Sequence, residues 1–394
     1  MEILVQTLNI KTYAFIVLLL SLVITYIMIP KLIGIVKYKW FIDHPNNRSS
    51  HSYQTPNLGG ITFYVSFVIG LFLIQFYGVA TFSFNMLAAI TILFIAGLKD
   101  DLVVLSVRSK VLAQLLAITL LLVNTDIPIE NLYGFLGLTD MPYWLTLGFS
   151  YFAMLSIINA YNLIDGIDGL AAMLGVMVFA IFGLVFYSLS YYYYFLLALV
   201  PIGYLLAFLR YNLSKSKKIF MGDTGSMITG FLIGVLALRF LSLDGMQLQT
   251  LNIQPENLLL LTLGILFVLT TDTLRVMVIR LWNNKSLFKP DRNHVHHILI
   301  DTGLPHWAAS LWITGCSIFV LLLLYIINLY FSNLILWMVF VAITLFTTRL
   351  LFYFDMKHRI QKSEQAMLPK IPTNKWVFKI KLQRIAVHIF RLFF

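Results

Sequence analysis

The sequence predicts an all-α fold, a polytopic integral membrane helix bundle of about eleven transmembrane helices with its N-terminus outside and its C-terminus cytoplasmic. Three observations carry this expectation. Of 394 residues, 60% are hydrophobic and only 11% are charged, more apolar material than a soluble core can bury. The apolar residues gather in stretches long enough to cross or nearly cross a bilayer, at 13–36, 61–78, 82–98, 110–124, 144–162, 170–188, 191–209, 226–243, 256–282, 308–330 and 334–353. The charges are also asymmetric. With residue 1 outside, the outer turns near 79–81, 125–143, 189–190, 244–255 and 331–333 contain no Lys or Arg, and of 28 basic residues only Lys11 and Arg239 fall on or near that side, as the positive-inside rule requires.

The first stretch follows MEILVQTLNIK, which lacks the basic start of a secretory signal, and no small-residue cleavage site interrupts its long apolar run, so a retained span is expected. A polar loop carrying DHPNNRSSH and PNLGG at 43–60 leads to the second and third stretches, and the third closes on GLKDDL at 97–102. Lys110 opens the fourth. The fifth ends in NAYNLIDGIDG at 159–169, and the seventh ends at Arg210, Tyr211 and Asn212. KIFMGDTGS at 218–226 opens the eighth, and the ninth is followed by KPDRNHVHH at 289–297. There Asp291 reads as an N-cap after Pro290, with His294 and His297 sharing a face of a short helix that ends near Gly303 while His296 points elsewhere. Behind the last span, Lys and Arg alternate with Trp376, Val377, Phe378, Ile380, Leu382, Ile385 and Phe390, the pattern of a basic amphipathic helix resting on anionic lipid. The expected domains are therefore 1–356, a polytopic membrane unit without internal repeat, and 357–394, an amphipathic cytoplasmic tail.

The net charge of +11 does not point to nucleic acid, because the basic residues follow membrane topology and no soluble aromatic-rich module is present to read bases. The single cysteine, Cys316, lies within an apolar stretch, which rules out an intrachain disulfide and leaves it a packing role.

Acids and imidazoles persist near lipid where they bind ions or substrate, so four polar clusters at the inner ends of spans outline one site. Asp100 and Asp101 repel one another unless a cation, a proton or Lys110 compensates; one of them can act as proton acceptor, or both can simply end a helix in solvent. Asn159, Asn162, Asp165 and Asp168 recur every third residue, which lines them along one side of a continuing helix. Oxygen ligands beside glycines suit magnesium better than capping alone would explain. In the third cluster, backbone N–H groups at a helix start favour anions while Asp223 can hold a metal bridging to them. Phe220 offers a stacking face for a base, or an ordinary membrane-border anchor. The histidine cluster lacks a Cys partner and any H-E-x-x-H arrangement, so Arg292 and the imidazoles fit phosphate or sugar hydroxyls better than zinc. A hard-metal site, anion-binding groups and titratable carboxylates at a membrane surface amount to equipment for phosphoryl transfer to or from a lipid.

In order and spacing, DHPNNRSSH with PNLGG, GLKDD, NAYNLIDGIDGLA, FMGDTGS and DTLRVMVIR followed by PDRNHVHHIL resemble the motifs of the polyprenyl-phosphate N-acetylhexosamine-1-phosphate transferases of the glycosyltransferase 4 family. The H-x-H-H form is most similar to the undecaprenyl-phosphate N-acetylglucosaminyl-1-phosphate branch. The resemblance implies a bacterial cytoplasmic (inner) membrane enzyme whose active site faces the cytoplasm. It would join a UDP-N-acetylhexosamine to undecaprenyl phosphate, releasing UMP and starting a lipid-linked cell-envelope glycan such as a cell-wall polysaccharide or lipopolysaccharide. It also implies Mg2+, with Mn2+ as a substitute, on Asp223 with Asn162 as second ligand, and Asp100 and Asp101 as the acidic pair proposed as base. Lys110 would contact the diphosphate, Arg292, His294, His296 and His297 would grip the nucleotide sugar, and Asn212 and Phe220 would meet the uridine, with Asn159, Asp165 and Asp168 completing the substrate pocket. Three positions depart from the family pattern: Ser49 stands where Lys is frequent, Asn57 where Arg is frequent, and Leu287 where Pro commonly precedes Phe288.

A phosphate monoester has a second pKa of about 6, so the attacking lipid phosphate is already largely ionised near neutral pH. Asp100 and Asp101 are therefore expected to matter more as organisers of metal and phosphate than as base. A transporter of an anionic or lipid-linked solute is the main rival, with a metal-dependent lipid phosphatase and a non-enzymatic scaffold behind it; a transporter would place acids at mid-span and interrupt its helices, whereas here the acids gather at inner ends. A homodimer is compatible with the architecture.

Overall fold

The computed structural model describes residues 9–39, 55–78, 80–123, 125, 129, 131–135, 138–140, 142–284 and 293–367. Their helices are α1 (Ile10–Lys39), α2 (Gly60–Ile74), α3 (Ala80–Leu102), α4 (Val107–Leu122), α5 (Tyr143–Ile164), α6 (Leu170–Ser188), α7 (Tyr192–Asn212), α8 (Gly222–Leu241), α9 (Gly245–Thr250), α10 (Leu258–Ile265), α11 (Phe267–Trp282), α12 (Val295–Asp301), α13 (His306–Tyr330) and α14 (Asn333–Met367). Between α4 and α5 a short antiparallel hairpin pairs β1 (Asn131–Phe135) with β2 (Leu138–Asp140), Asn131 opposite Asp140. The chain forms two compact units, Met1–Thr347 and Thr348–Phe394. The tail segment from Trp376 onward lies outside the described residues, as do the DHPNNRSSH stretch, Leu287 and Arg292.

Each predicted apolar stretch corresponds to helix, and the expected count of about eleven spans is met only in part. Among the described residues nine helices are long and apolar enough to cross a bilayer, or ten if one bent pair counts as a single span. The stretch at 110–124 forms α4, whose 16 residues reach about 24 Å against a hydrocarbon core of about 30 Å. The stretch at 256–282 is broken: Pro255–Ile265 and α11 meet at 77°, with Leu266 between them outside helical geometry.

Helix α8 sits at the centre. Every residue from Thr224 to Leu241 except Arg239 is buried, and α8 packs against α2, α3, α5 and α6. In lipid such burial comes from helix-on-helix packing rather than from escape from water, so the first turn of α8 is held by its neighbours on all sides. That turn carries Asp223. The surrounding helices present alternating ends to it: Asp100 and Asp101 close α3, Lys110 lies in the first turn of α4, Asn162 in the last turn of α5, Asp168 just before α6 and Asn212 at the end of α7. An up-and-down bundle thus gathers residues far apart in sequence at one end.

Candidate active site

Helix α8 starts after a sharp turn that only glycine accommodates. Gly222 has φ +72°, and a Cβ there would lie 2.0 Å from the Asn57 carbonyl oxygen and 2.7 Å from both Asp101 oxygens. The turn is built against the PNLGG segment, backbone to backbone: Phe220 N–H donates to Pro56 O (2.7 Å), Gly59 N–H to Phe220 O (3.0 Å) and Gly60 N–H to Met221 O (2.9 Å). Gly222→Ala is therefore expected to yield little folded protein, since left-handed strain of about 1–2 kcal/mol adds to a backbone collision. Gly303→Ala is the comparison, because Gly303 has φ +96° but open space around its missing Cβ. A thermal-unfolding measurement in detergent should show a modest loss at 303 and a collapse at 222.

The two neighbouring aspartates do different things. Asp101 caps α8 from another helix: its Oδ1 accepts from Asp223 N–H (2.7 Å), and its Oδ2 accepts from Thr224 N–H (3.1 Å) and Thr224 Oγ1 (2.6 Å). It satisfies backbone donors that a helix start leaves without partners. Asp100 turns the other way, accepting from Leu105 N–H (2.6 Å) and from Lys110 Nζ (3.1 Å). Lys110 also donates to Asp223 Oδ1, as does the Asn162 amide, which reaches Ser226 Oγ (2.7 Å) as well. No N–H or O–H donor reaches Asp223 Oδ2 or Asn162 Oδ1 among the described residues, although Asp100 lies within hydrogen-bond reach of the Asp223 carboxylate, and the Asp223 side chain is 33% exposed against 10% for Asp100. Asp223 is thus the carboxylate with one oxygen fixed and one open.

No three His, Cys, Asp or Glu side chains converge as a metal cluster among the described residues. A magnesium ion does not require one: it is usually held by one or two carboxylates and completes its shell with water and substrate phosphates. The open oxygens of Asp223 and Asn162 fit that donor set.

The line of Asn159, Asn162, Asp165 and Asp168 along one continuing helix does not form, because α5 ends at Ile164. Asn159 instead exchanges amide contacts with the buried Gln114, donating to its Oε1 at 3.0 Å. Asp165 has no hydrogen bond among the described residues, and burial, followed by the charges of Asp223, Asp101 and Asp168, pushes its carboxyl up to about 7. Asp168 goes the opposite way: burial works to raise it, but hydrogen bonds from His306 Nδ1 (2.9 Å) and Lys218 Nζ (2.6 Å) outweigh burial and leave it below the usual carboxylate range. His306, the first residue of α13, carries no signal in the sequence beyond a histidine after Pro305. Asn212 is buried, its Oδ1 accepting from Gly169 N–H (2.6 Å) and its amide donating to Ile219 O (3.0 Å), so it ties the second cluster to the third. Lys218 lies over the Phe220 ring, 5.4 Å from its centroid.

The histidine loop is arranged differently from the expected shared face of His294 and His297. Helix α12 begins at Val295 with His294 as an extended N-cap, and the His294 and His296 rings lie parallel, 5.7 Å apart, both buried. His296 packs on the second cluster, its Nε2 2.1 Å from where a Cβ on Gly166 would be. Burial, then the neighbouring His297, lowers its pKa to about 3. Between pH 6.5 and about 3 the unfolded chain binds the proton that folded His296 refuses, so this residue contributes stability that is present at neutral pH and lost on acidification. Comparing wild type with His296→Phe by thermal unfolding from pH 7 to pH 4 isolates the contribution, and the variant should show the shallower fall.

The chain matches the family model described as glycosyl transferase family 4 over residues 83–241. It is 30% identical over 266 residues to a probable undecaprenyl-phosphate N-acetylglucosaminyl 1-phosphate transferase of Bacillus subtilis (strain 168), covering 67% of this chain and 71% of that protein. It is 29% identical over 293 residues to the undecaprenyl-phosphate alpha-N-acetylglucosaminyl 1-phosphate transferase of Escherichia coli (strain K12), covering 71% and 74%. The Salmonella typhi protein of the same description is 30% identical over 288 residues, covering 69% and 72%.

Proposed function

Because this chain belongs to glycosyl transferase family 4, we propose that it transfers N-acetylglucosamine-1-phosphate from UDP-N-acetylglucosamine to undecaprenyl phosphate, releasing UMP. The carrying observation is Asp223 in the first turn of α8, just ahead of its buried run, with Lys110 and Asn162 fixing one of its oxygens and the other left open. A non-bridging oxygen of the lipid phosphate forms the new bond to the β-phosphorus; the bond from that phosphorus to the bridging oxygen breaks, and UMP leaves with the electron pair. Asp223 and Asn162 would hold magnesium, which when bound neutralises charge on the diphosphate. Lys110, already placed between Asp100 and Asp223, offers its remaining donor to a phosphate oxygen. Asp101 keeps the first turn of α8 in place, and the loop from Asp165 to Gly169 joins the phosphate end to the histidine loop through Gly166 and His296.

This reading puts the site at the cytoplasmic face of a bacterial inner membrane, with the N-terminus outside. Its support is that the polar ends of α3 to α8 share one side with nearly all the Lys and Arg. Incubating the purified protein with undecaprenyl phosphate, magnesium and a panel of UDP-sugars should give UMP and lipid-diphosphate sugar in equal amounts with UDP-N-acetylglucosamine. Inorganic phosphate without sugar transfer, or solute flux in liposomes without UMP, would overturn it.

A further inference from the structure

Helix α11 carries a buried acid that the scheme above does not use. Asp272 is 5% exposed, and a carboxylate so placed is stabilised only by the donors around it. Arg275 NH2 donates to its Oδ1 (2.6 Å), Val295 N–H donates to the same oxygen (3.0 Å), and His294 Nδ1 lies 2.9 Å from Oδ2. Arg275 reaches on to the Asn293 carbonyl. One acid and one guanidinium, a helical turn apart, thus clasp three consecutive residues of the histidine loop and supply the N-terminus of α12 with a negative charge. His294 does not cap that helix itself, and its Nε2 has no hydrogen bond among the described residues.

We infer that Asp272 is a positioning residue that holds His294 with its proton on Nδ1, so that Nε2 is kept for a ligand in one fixed tautomer. Which nitrogen of a histidine is available is set by what binds the other. An ionised carboxylate only accepts, so Asp272 keeps hydrogen on Nδ1 whatever the ring's charge. In the neutral ring Nε2 is then an acceptor for a hydroxyl of the donor sugar, and in the charged ring a donor to its phosphate. Arg275 saturates Oδ1 and draws in Asn293, which leaves Oδ2 for the imidazole. The catalytic consequence rests on the proposed transferase reading, whereas the tautomer does not.

Asp272→Asn is the informative change, because it preserves shape while Arg275 and Val295 N–H keep the remaining oxygen, which turns an NH2 toward His294. Loss of an orienting partner of this kind costs about 10–100-fold in activity. The effect is expected in kcat/KM for the UDP-sugar, with Asp272→Glu recovering part of it. In a His294→Ala background the same substitution should change kcat/KM by less than about twofold, since residues that act through one another are not additive. Full multiplication of the two losses would overturn the inference. Solid-state NMR of protein labelled with 15N-histidine, with His294 assigned by its absence in His294→Ala, should show Nδ1 protonated in wild type and the proton moved to Nε2 in Asp272→Asn; an unchanged tautomer would equally overturn it. A wild-type protein that releases no UMP would sink the transferase reading and leave the NMR result to stand alone.

Discussion

Asp223→Asn is expected to lower UMP release by about 10³-fold while leaving the protein folded. The carboxylate accepts Lys110 and Asn162 on Oδ1, which fixes its rotamer and points the other oxygen away from protein partners. An asparagine retains one oxygen for those donors and places an NH2 where a cation would bind, removing both the charge and the lone pair. The burial of α8 begins after this residue, so the substitution does not reach the packed core, and thermal unfolding should stay near wild type. Mn2+ binding, followed by electron paramagnetic resonance on the purified protein, should weaken in step with turnover. Wild-type rates in the variant would remove Asp223 from the metal. Asn162→Ala should behave as a weaker version, with a loss of about 10–100-fold, because Asn162 orients Asp223 and, in the proposed site, would add one neutral oxygen.

The positions of the helices were legible because hydropathy reports length and polarity, and both survive folding. Direction does not: Leu266 is as apolar as its neighbours, so nothing in the 256–282 stretch marks the 77° break. The clusters were legible because ionisable residues at span ends are conspicuous against an apolar background. Their internal wiring was not. Asp101 and the N–H groups it caps are more than a hundred residues apart, and the PNLGG segment binds the start of α8 through backbone atoms that carry no sequence signal. Asn159 and Asn162 stand three apart on α5, yet one amide meets Gln114 and the other Asp223, a difference set by which neighbouring helix each faces. Asp272 lay inside the 256–282 stretch, where a single polar residue is easily read as part of a span, and His306 stood just ahead of the 308–330 stretch.

Asp101→Asn and Asp100→Asn should both be slow, and neither should recover at high pH. In Asp101→Asn the loss is expected to be about 10²-fold, because one side of the carboxylate becomes an NH2 that cannot accept from Thr224 N–H and Thr224 Oγ1. The start of α8 then shifts, taking Asp223 with it, so Mn2+ affinity should fall although Asp101 is already committed to three donors. Asp100→Asn instead removes the charge that shares Lys110 with Asp223, and its effect should appear mainly in the response to the donor diphosphate. The attacking phosphate monoester, with its second pKa of about 6, arrives ionised at pH 7.5 and has no proton to give up. A base role predicts something else, a rate that climbs about tenfold per pH unit between 7 and 9 in the variant while wild type stays level, as hydroxide replaces the missing acceptor. Three donors at the start of α8 take most of the accepting capacity of the Asp101 carboxylate, so the pH profile of Asp101→Asn should run parallel to that of wild type.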